Sequence, residues 1–221
     1  MRIDLHIPES WRELNVRDMI YLVRIQSLTL TREEFLLLLF SRFSRIRYLK
    51  TENDLTWFTK KRQRFCLSSE QVMVFCSRLA WILDTEPREL PCPIGVHPKL
   101  YDLSFEKYFN AEALFARYNS TKEERYLKKA VFALSWRFTG RKRRQAALMW
   151  WSGVRLFLRE RYPYVFQSGE AEGVSPFDTL QDILLGLNET RPQDNKEILK
   201  SEVHFVLSAL NHKISIYAKH K

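Results

Sequence analysis

The sequence predicts a mainly α protein: a helical bundle of about seven helices with a small β-hairpin in its N-terminal lobe. Three observations support this fold class. Apolar residues recur at helical spacing over most of the 221 residues, capping boxes mark several helix starts, and strand-type alternation is confined to short stretches. A content of 45% hydrophobic and 14% aromatic residues is enough to bury a core, which excludes disordered, collagen-like and low-complexity proteins.

Helix start signals organise the first lobe. Alternation over residues 3–7 predicts a short strand, and Asn15 offers an N-cap to the first helix. A capping box at Thr31 predicts a second helix that runs to about Tyr48. A further box at Ser68 predicts a helix that is apolar on a broad face.

A small hairpin is expected between these two helices. Its strands are Leu55 to Phe58 and Phe65 to Leu67, and Lys60-Lys61-Arg62-Gln63 forms a basic tip. The tip lacks the Gly or Asn that tight hairpin turns favour.

A proline-rich segment divides the chain. Residues 86–98 hold four of the eight prolines, which exclude helix and favour an extended path. We therefore expect an N-terminal α lobe with a small β element at residues 1–86, a linker at 87–102 and an all-α lobe at 103–221.

Helices account for the whole second lobe. Starts are predicted at Ser104, Thr121 and Arg141, and the helix from Arg141 should end before Pro163. A further helix is predicted from Ser175, where Pro176 takes a preferred first position. Trp150 and Trp151 are interpreted as core residues because they stand at helical spacing.

The last helix carries an apolar seam over about two heptads. Two interpretations remain open: the helix docks on its own lobe, or it is exchanged between subunits of an oligomer. The seam consists of Val203, Leu207, Leu210, Ile214 and Tyr217.

The net charge of +10 favours polyanions or acidic protein surfaces as partners. Basic residues cluster at 42–64 and at 137–161, whereas acidic residues dominate 170–202, so the blocks could also neutralise each other within the fold. The candidate partner-binding residues are Arg141, Lys142, Arg143, Arg144, Lys60, Lys61, Arg62 and Arg64.

Signatures of catalysis are missing from the sequence. It contains no GxSxG, GxxxxGK[ST], GxGxxG or HExxH pattern, and its three cysteines do not have zinc-site spacing. We therefore expect no enzyme, no cofactor and no metal site. Cys66 and Cys76 lie among apolar neighbours and are expected to be reduced thiols that pack as small hydrophobes.

Targeting and membrane signals are also missing. The longest apolar run, Phe35 to Phe40, is far shorter than the roughly 18 residues of a membrane span, and the first residues are charged. The expected location is cytoplasmic, without membrane insertion.

Several strings resemble an uncharacterised family encoded in prophage-like elements of gut bacteria. They are Trp57 to Leu67 with Ser68-Ser69-Glu70-Gln71, the proline-rich joint, Leu103 to Glu112, Trp150 to Val154 and Arg161 to Phe166. Members of that family carry a Gly in the hairpin tip, which this sequence lacks. The resemblance implies a phage-derived assembly chaperone or adaptor for tail or head morphogenesis, and it implies no reaction.

The expected function is therefore non-enzymatic binding of another protein, with the basic residues 141–144 beside an apolar helix face. The alternative is a nucleic-acid-binding protein that uses residues 42–64 and 141–161.

Overall fold

The computed structural model describes residues 5–137, 139–167, 187 and 195–219. Internal contacts divide the chain into two units, Met1–Pro91 and Cys92–Lys221, and the division lies within residues 87–102. We call them the N-terminal and C-terminal units and describe each by itself. The helix predicted from Ser175 lies outside the described residues, apart from Leu187.

Short helices and one sheet make up the N-terminal unit. The predicted capping boxes at Thr31 and Ser68 are confirmed, because each side chain accepts from a backbone N–H of the first turn and the third helical residue reciprocates. Asn15, predicted as an N-cap, forms such a box with Asp18. The helices are a 3₁₀ turn at Trp11–Glu13, α1 at Val16–Gln26, α2 at Arg32–Phe43, α3 at Ser69–Ser77 and α4 at Trp81–Asp84.

The sheet has three antiparallel strands in the order β1-β2-β3, so the prediction of a hairpin was incomplete. Strands β2 (Leu55–Lys60) and β3 (Gln63–Ser68) form the predicted hairpin, and β1 (Arg47–Glu52) pairs with the free side of β2.

The prediction that α2 runs to about Tyr48 was wrong, because the helix ends at Phe43. Arg45 has a φ of 53°, a left-handed conformation that takes the chain out of the helix. Ile46 and Tyr48 stand at helical spacing from the buried residues of α2, so periodicity alone extended the helix too far. The strand predicted over residues 3–7 was also wrong for its described part, because residues 5–7 are irregular.

Aromatic packing joins the sheet to α2 and α3. Phe58 of β2 is fully buried and meets Phe40 edge-to-face at a centroid distance of 5.7 Å. Phe40 also stacks on Phe75 of α3 at 5.1 Å. Such pairs add about 0.5–1.5 kcal/mol each beyond the area they bury, so this contact fixes which face of the sheet points into the unit.

In the described part of the C-terminal unit the regular elements are all helices, apart from one isolated bridge between Ser104 and Glu202. With the helices of the N-terminal unit, its helices exceed the predicted number of about seven, because Pro163 starts a new short helix and the helix predicted after Ser68 breaks at residues 78–80. They are α5 (Phe105–Thr121), α6 (Glu124–Ser135), α7 (Arg141–Arg161), α8 (Pro163–Gln167), α9 (Asn195–Lys200) and α10 (Val203–Lys219).

The start of α6 differs from the prediction. Thr121 belongs to α5, Lys122 ends that helix with a left-handed φ of 58°, and Glu123 is an N-cap without a side-chain capping bond. The chain turns from α5 into α6 at Lys122 and Glu123, which the capping-box pattern assigned to the start of α6.

Trp150 and Trp151 of α7 lie in the core of this unit, which confirms their interpretation as packing residues. Trp151 stacks on Phe115 of α5 at 4.8 Å. Val203, Leu207 and Leu210 of the C-terminal seam are buried as well, so the first half of α10 packs within its own unit.

Among the described helices, none combines the length and the apolar character that crossing a bilayer requires.

Candidate functional site

The strand register divides the sheet into two faces. Residues paired across antiparallel strands point to the same side, so the partners Tyr48 and Phe65 lie on the buried face with Phe58. We call the opposite side the basic face. It carries Arg47, Lys50, Glu52, Leu55, Trp57, Thr59, Arg64, Cys66 and Ser68.

Two arginines lie side by side at one end of the basic face. Arg47 and Arg64 both pair with Thr59, one on each side of the central strand. Two strand spacings separate their backbones by roughly 10 Å. Both side chains belong to exposed residues, and neither forms an ion pair with another described residue. Their positive charge is therefore available to an external anion.

The hairpin tip adds charge at the same end. Lys61 and Arg62 are exposed and form the two-residue turn between β2 and β3, with φ angles of 47° and 70°. Lys60, at the end of β2, is half-buried and has a contact within the chain. Of the candidate residues, Lys61, Arg62 and Arg64 thus lie at one end of the sheet, and Arg47 of β1 lies beside them.

Acidic residues lie at the other end of the sheet. Glu52 pairs with Leu55 beside the Asn53-Asp54 turn, and the carboxylate of Glu52 forms an ion pair with the ammonium group of Lys50. The hydrogen bond from Lys50 and its charge hold the pKa of Glu52 below its usual value. The sheet therefore has a cationic end and an opposite end where Lys50 and Glu52 pair with each other.

Trp57 occupies the middle of the basic face. It pairs with Lys50 on one side and with Cys66 on the other. Trp57 is half-buried, whereas Cys66 is exposed, which corrects the expectation that Cys66 packs as a hydrophobe. Alternation along a strand places Cys66 on the basic face, because its neighbour Phe65 takes the buried one.

The cations at the start of α7 divide into two kinds. Arg141, Lys142 and Arg143 are exposed. Arg144 forms an ion pair with Glu124 of α6 at 2.8 Å, and only 14% of its side chain is exposed. Cations are disfavoured at the amino end of a helix, and for Arg144 this carboxylate compensates the charge.

An exposed aromatic pair precedes these cations. Trp136, at the end of α6, is 67% exposed, and its ring lies 5.8 Å from that of Phe132. Lys107 of α5 approaches the same indole at 5.6 Å. Sequence patterns missed Trp136 as a surface feature, since an aromatic residue on an amphipathic helix is typical of a core.

Arg42 belongs to the first basic cluster of the sequence but serves the fold. Its guanidinium forms an ion pair with Asp18 of α1 at 3.1 Å and lies over the ring of Tyr21. These contacts join α2 to α1, so Arg42 does not contribute to the basic face.

The candidate residues fall into different units. Lys60, Lys61, Arg62 and Arg64 belong to the N-terminal unit, and residues 141–144 belong to the C-terminal unit. Each cluster is therefore described within its own unit.

A cleft of about 630 Å³ lies in the N-terminal unit beside Trp11 and Trp81. The two rings meet edge-to-face at 5.1 Å, and Arg12 bridges to Glu89 across the cleft at 2.6 Å. Both indole N–H groups donate to acceptors within the unit. The two indoles, Arg12 and Glu89 are thus used by the fold.

Among the described residues, no three His, Cys, Asp or Glu side chains cluster as a metal site would require. The buried His204 is held by Tyr162 and by the carbonyl of Lys99, at 2.8 and 2.6 Å, in a packed polar cluster. This arrangement connects α10 to α7 and to the loop before α5, which is a structural task.

Comparison with protein-family models, curated proteins and solved structures found no match for this chain.

Proposed function

We propose that this protein acts without catalysis by binding nucleic acid, and that the basic face of its three-stranded sheet is the contact surface. One observation carries the proposal: Arg47 and Arg64 flank Thr59 at the end of the sheet that also carries Lys61 and Arg62. Four exposed cations at one end of a small sheet create a local positive potential, and phosphate backbones are the common biological partners of such a surface.

The sheet geometry supports a contact with an extended polyanion. Phe58 points to the other face and contacts Phe40 of α2, which stacks on Phe75 of α3, so this aromatic packing lies on the side opposite the basic face. Strands of six residues give this face a length of roughly 20 Å. A nucleic acid strand can lie along it without rearrangement of the core.

Salt dependence tests this proposal. We expect a fluorescein-labelled oligonucleotide to bind with an affinity that falls steeply between about 50 and 200 mM salt. Changing Arg47→Gln and Arg64→Gln together should weaken binding and reduce the slope of log K against log salt by about 1.4 for a single strand, because two phosphate contacts are lost.

A matched control is available in the other unit. Arg141→Gln with Arg143→Gln removes the same charge from exposed positions outside the sheet. Affinity should change little in this variant. If it falls as much as in the sheet variant, binding depends on net charge rather than on the basic face, and the proposal is wrong.

A second candidate function is the phage-type assembly chaperone or adaptor, whose partner is a protein. The exposed Trp136 favours it, because Trp and Arg are enriched among residues that dominate protein interfaces, and the exposed Arg141 and Arg143 follow it closely in the chain. An acidic partner surface with an apolar pocket has the chemistry to receive both.

Proteins encoded beside this gene provide the test of the second candidate. Products of neighbouring capsid or tail genes would be purified and mixed with the chain, and complexes separated by gel filtration. A complex that is lost in Trp136→Ala but kept in Trp57→Ala supports the adaptor. Neighbouring metabolic genes and no complex would contradict it.

A further inference from the structure

We infer that the basic face binds single-stranded nucleic acid in preference to duplex, with a base stacked on the indole of Trp57. This inference rests on the proposed function and names the form of nucleic acid that the same face takes. It follows from the position of Trp57 in the sheet, from its lack of partners and from its distance to the arginine row.

Hydrogen bonding separates Trp57 from the packing tryptophans. Four of the six indoles donate their N–H to acceptors within their own unit, at 2.8–3.2 Å. Buried indoles ordinarily need such an acceptor. The N–H groups of Trp57 and Trp136 have none among the described residues.

Trp57 also differs from Trp136 in its ring contacts. Trp136 meets Phe132 and Lys107, whereas the indole of Trp57 meets no aromatic ring and no cation among the described residues. A large aromatic residue in a central strand, on the face away from the core and without ring partners, is suited to an external ring.

Small side chains surround this indole on two sides. Thr59 follows it on the same face of β2, and Cys66 lies directly across from it on β3. Lys50 occupies the third side, and its ammonium group is drawn to Glu52. A flat base can therefore approach the indole over low neighbours while the lysine stem stays at the edge.

Distances along the strand fit one nucleotide step. Arg47 and Arg64 lie in the row next to Trp57, and two residues along a strand span roughly 7 Å. A base on Trp57 thus places its backbone near two guanidinium groups. This combination of a stacking ring and a cationic track is typical of proteins that hold single strands.

A duplex does not satisfy the same geometry. Its bases are stacked on one another and reach a protein only through their edges in the grooves. Trp57 then contributes nothing, and only the phosphate contacts of the arginines remain. The preference for single strands should therefore depend on this one side chain.

The experiment measures fluorescence anisotropy of labelled oligothymidylate and of a blunt duplex of equal length. Trp57→Leu should lower the affinity for the single strand about 5-fold or more, because removing a stacking aromatic side chain lowers affinity by about 5- to 150-fold per base. The affinity for the duplex should stay unchanged. Trp57→Phe should retain most of the affinity. Trp136→Leu is the control for loss of an exposed indole and should have no effect.

A second measurement uses the unsubstituted protein and does not depend on how variants fold. Cys66 lies across from Trp57, so bound oligothymidylate should slow its reaction with a maleimide severalfold, and duplex should slow it less.

Three results would overturn the inference. Equal affinity for single strand and duplex, with no loss in Trp57→Leu, would show that no base stacks on Trp57, although the arginines would still bind nucleic acid. Unchanged reactivity of Cys66 at saturating oligothymidylate would show that the strand binds away from the basic face. If neither single strand nor duplex binds, both the proposed function and this inference are wrong.

Discussion

Arg144 donates two hydrogen bonds, from Nε and Nη2, to the same carboxylate oxygen of Glu124, at 3.0 and 2.8 Å. The contact joins the first turn of α7 to the first turn of α6. The second carboxylate oxygen of Glu124 accepts from the amide of Gln145 at 3.3 Å. One carboxylate therefore holds two consecutive side chains of α7.

Removing this contact should destabilise the protein. Arg144→Ala leaves a partly buried carboxylate with one weak partner, and we expect a loss of about 1–3 kcal/mol in the free energy of unfolding, measured by urea denaturation. Arg143→Ala is the matched control. Its side chain is exposed, so stability should stay within about 0.5 kcal/mol. Equal losses in both variants would contradict a structural role for Arg144.

The stability of the C-terminal unit should fall in mild acid because of His204. Its Nε2 donates to the Lys99 carbonyl at 2.6 Å, and its Nδ1 lies 2.8 Å from the Tyr162 hydroxyl, an arrangement that the neutral ring satisfies by accepting at Nδ1. Burial lowers the pKa of His204, and the nearby Arg161 acts in the same direction. The unfolded chain therefore binds a proton at a higher pH than the folded chain does.

The sign of the effect follows from this difference. The contribution of His204 is complete above about pH 6.5, the value of an unperturbed histidine, and is lost as the pH falls through the lower pKa of the folded state. His204→Gln should flatten the dependence of unfolding free energy on pH in this window. The exposed His212→Gln serves as control and should keep it. An unchanged pH dependence in His204→Gln would show that other groups cause it.

The turn between β2 and β3 stores backbone strain. Lys61 and Arg62 both have positive φ, a conformation that costs L-residues other than Gly and Asn about 1–2 kcal/mol each. Replacing them with Asn-Gly should raise the free energy of unfolding by about 1 kcal/mol or more and weaken nucleic-acid binding, because two charges leave the tip. A lower melting temperature in this variant would contradict the turn geometry.

Thiol reactivity should differ among the three cysteines. Cys66 is exposed, whereas burial raises the pKa of Cys76 to about 11 and also raises the pKa of Cys92. A disulfide reagent at pH 8 should therefore modify one thiol quickly in the folded protein. Cys66→Ser should abolish the fast phase, and a fast phase of two or three thiols would contradict this order.

Local signals predicted the helix starts well because capping is decided within four residues. The N-cap at Asn15 and the capping boxes at Thr31 and Ser68 form as predicted. Strand β1 was missed, because Ile46 and Tyr48 continue the helical spacing of α2. The pairing of β1 with β2 depends instead on the turn at Asn53 and Asp54, which the periodicity of apolar residues does not show.

The contacts of the candidate basic residues also depend on tertiary structure that the sequence does not show. Sequence alone cannot separate Arg143 from Arg144, since the difference lies in which of them faces Glu124 on another helix. The pairing of Arg47 and Arg64 across Thr59 likewise depends on a register that two turns create. Charge clustering was therefore predictable, but the geometry of the cluster was not.

The distribution of indole hydrogen bonds has a spectroscopic consequence. Four tryptophans donate within the protein, and the two without an acceptor among the described residues, Trp57 and Trp136, belong to different units. Acrylamide should quench these two emissions first. In a chain that lacks one of them, the quenchable emission belongs to the other, so each half of the molecule carries its own natural optical reporter without an attached dye.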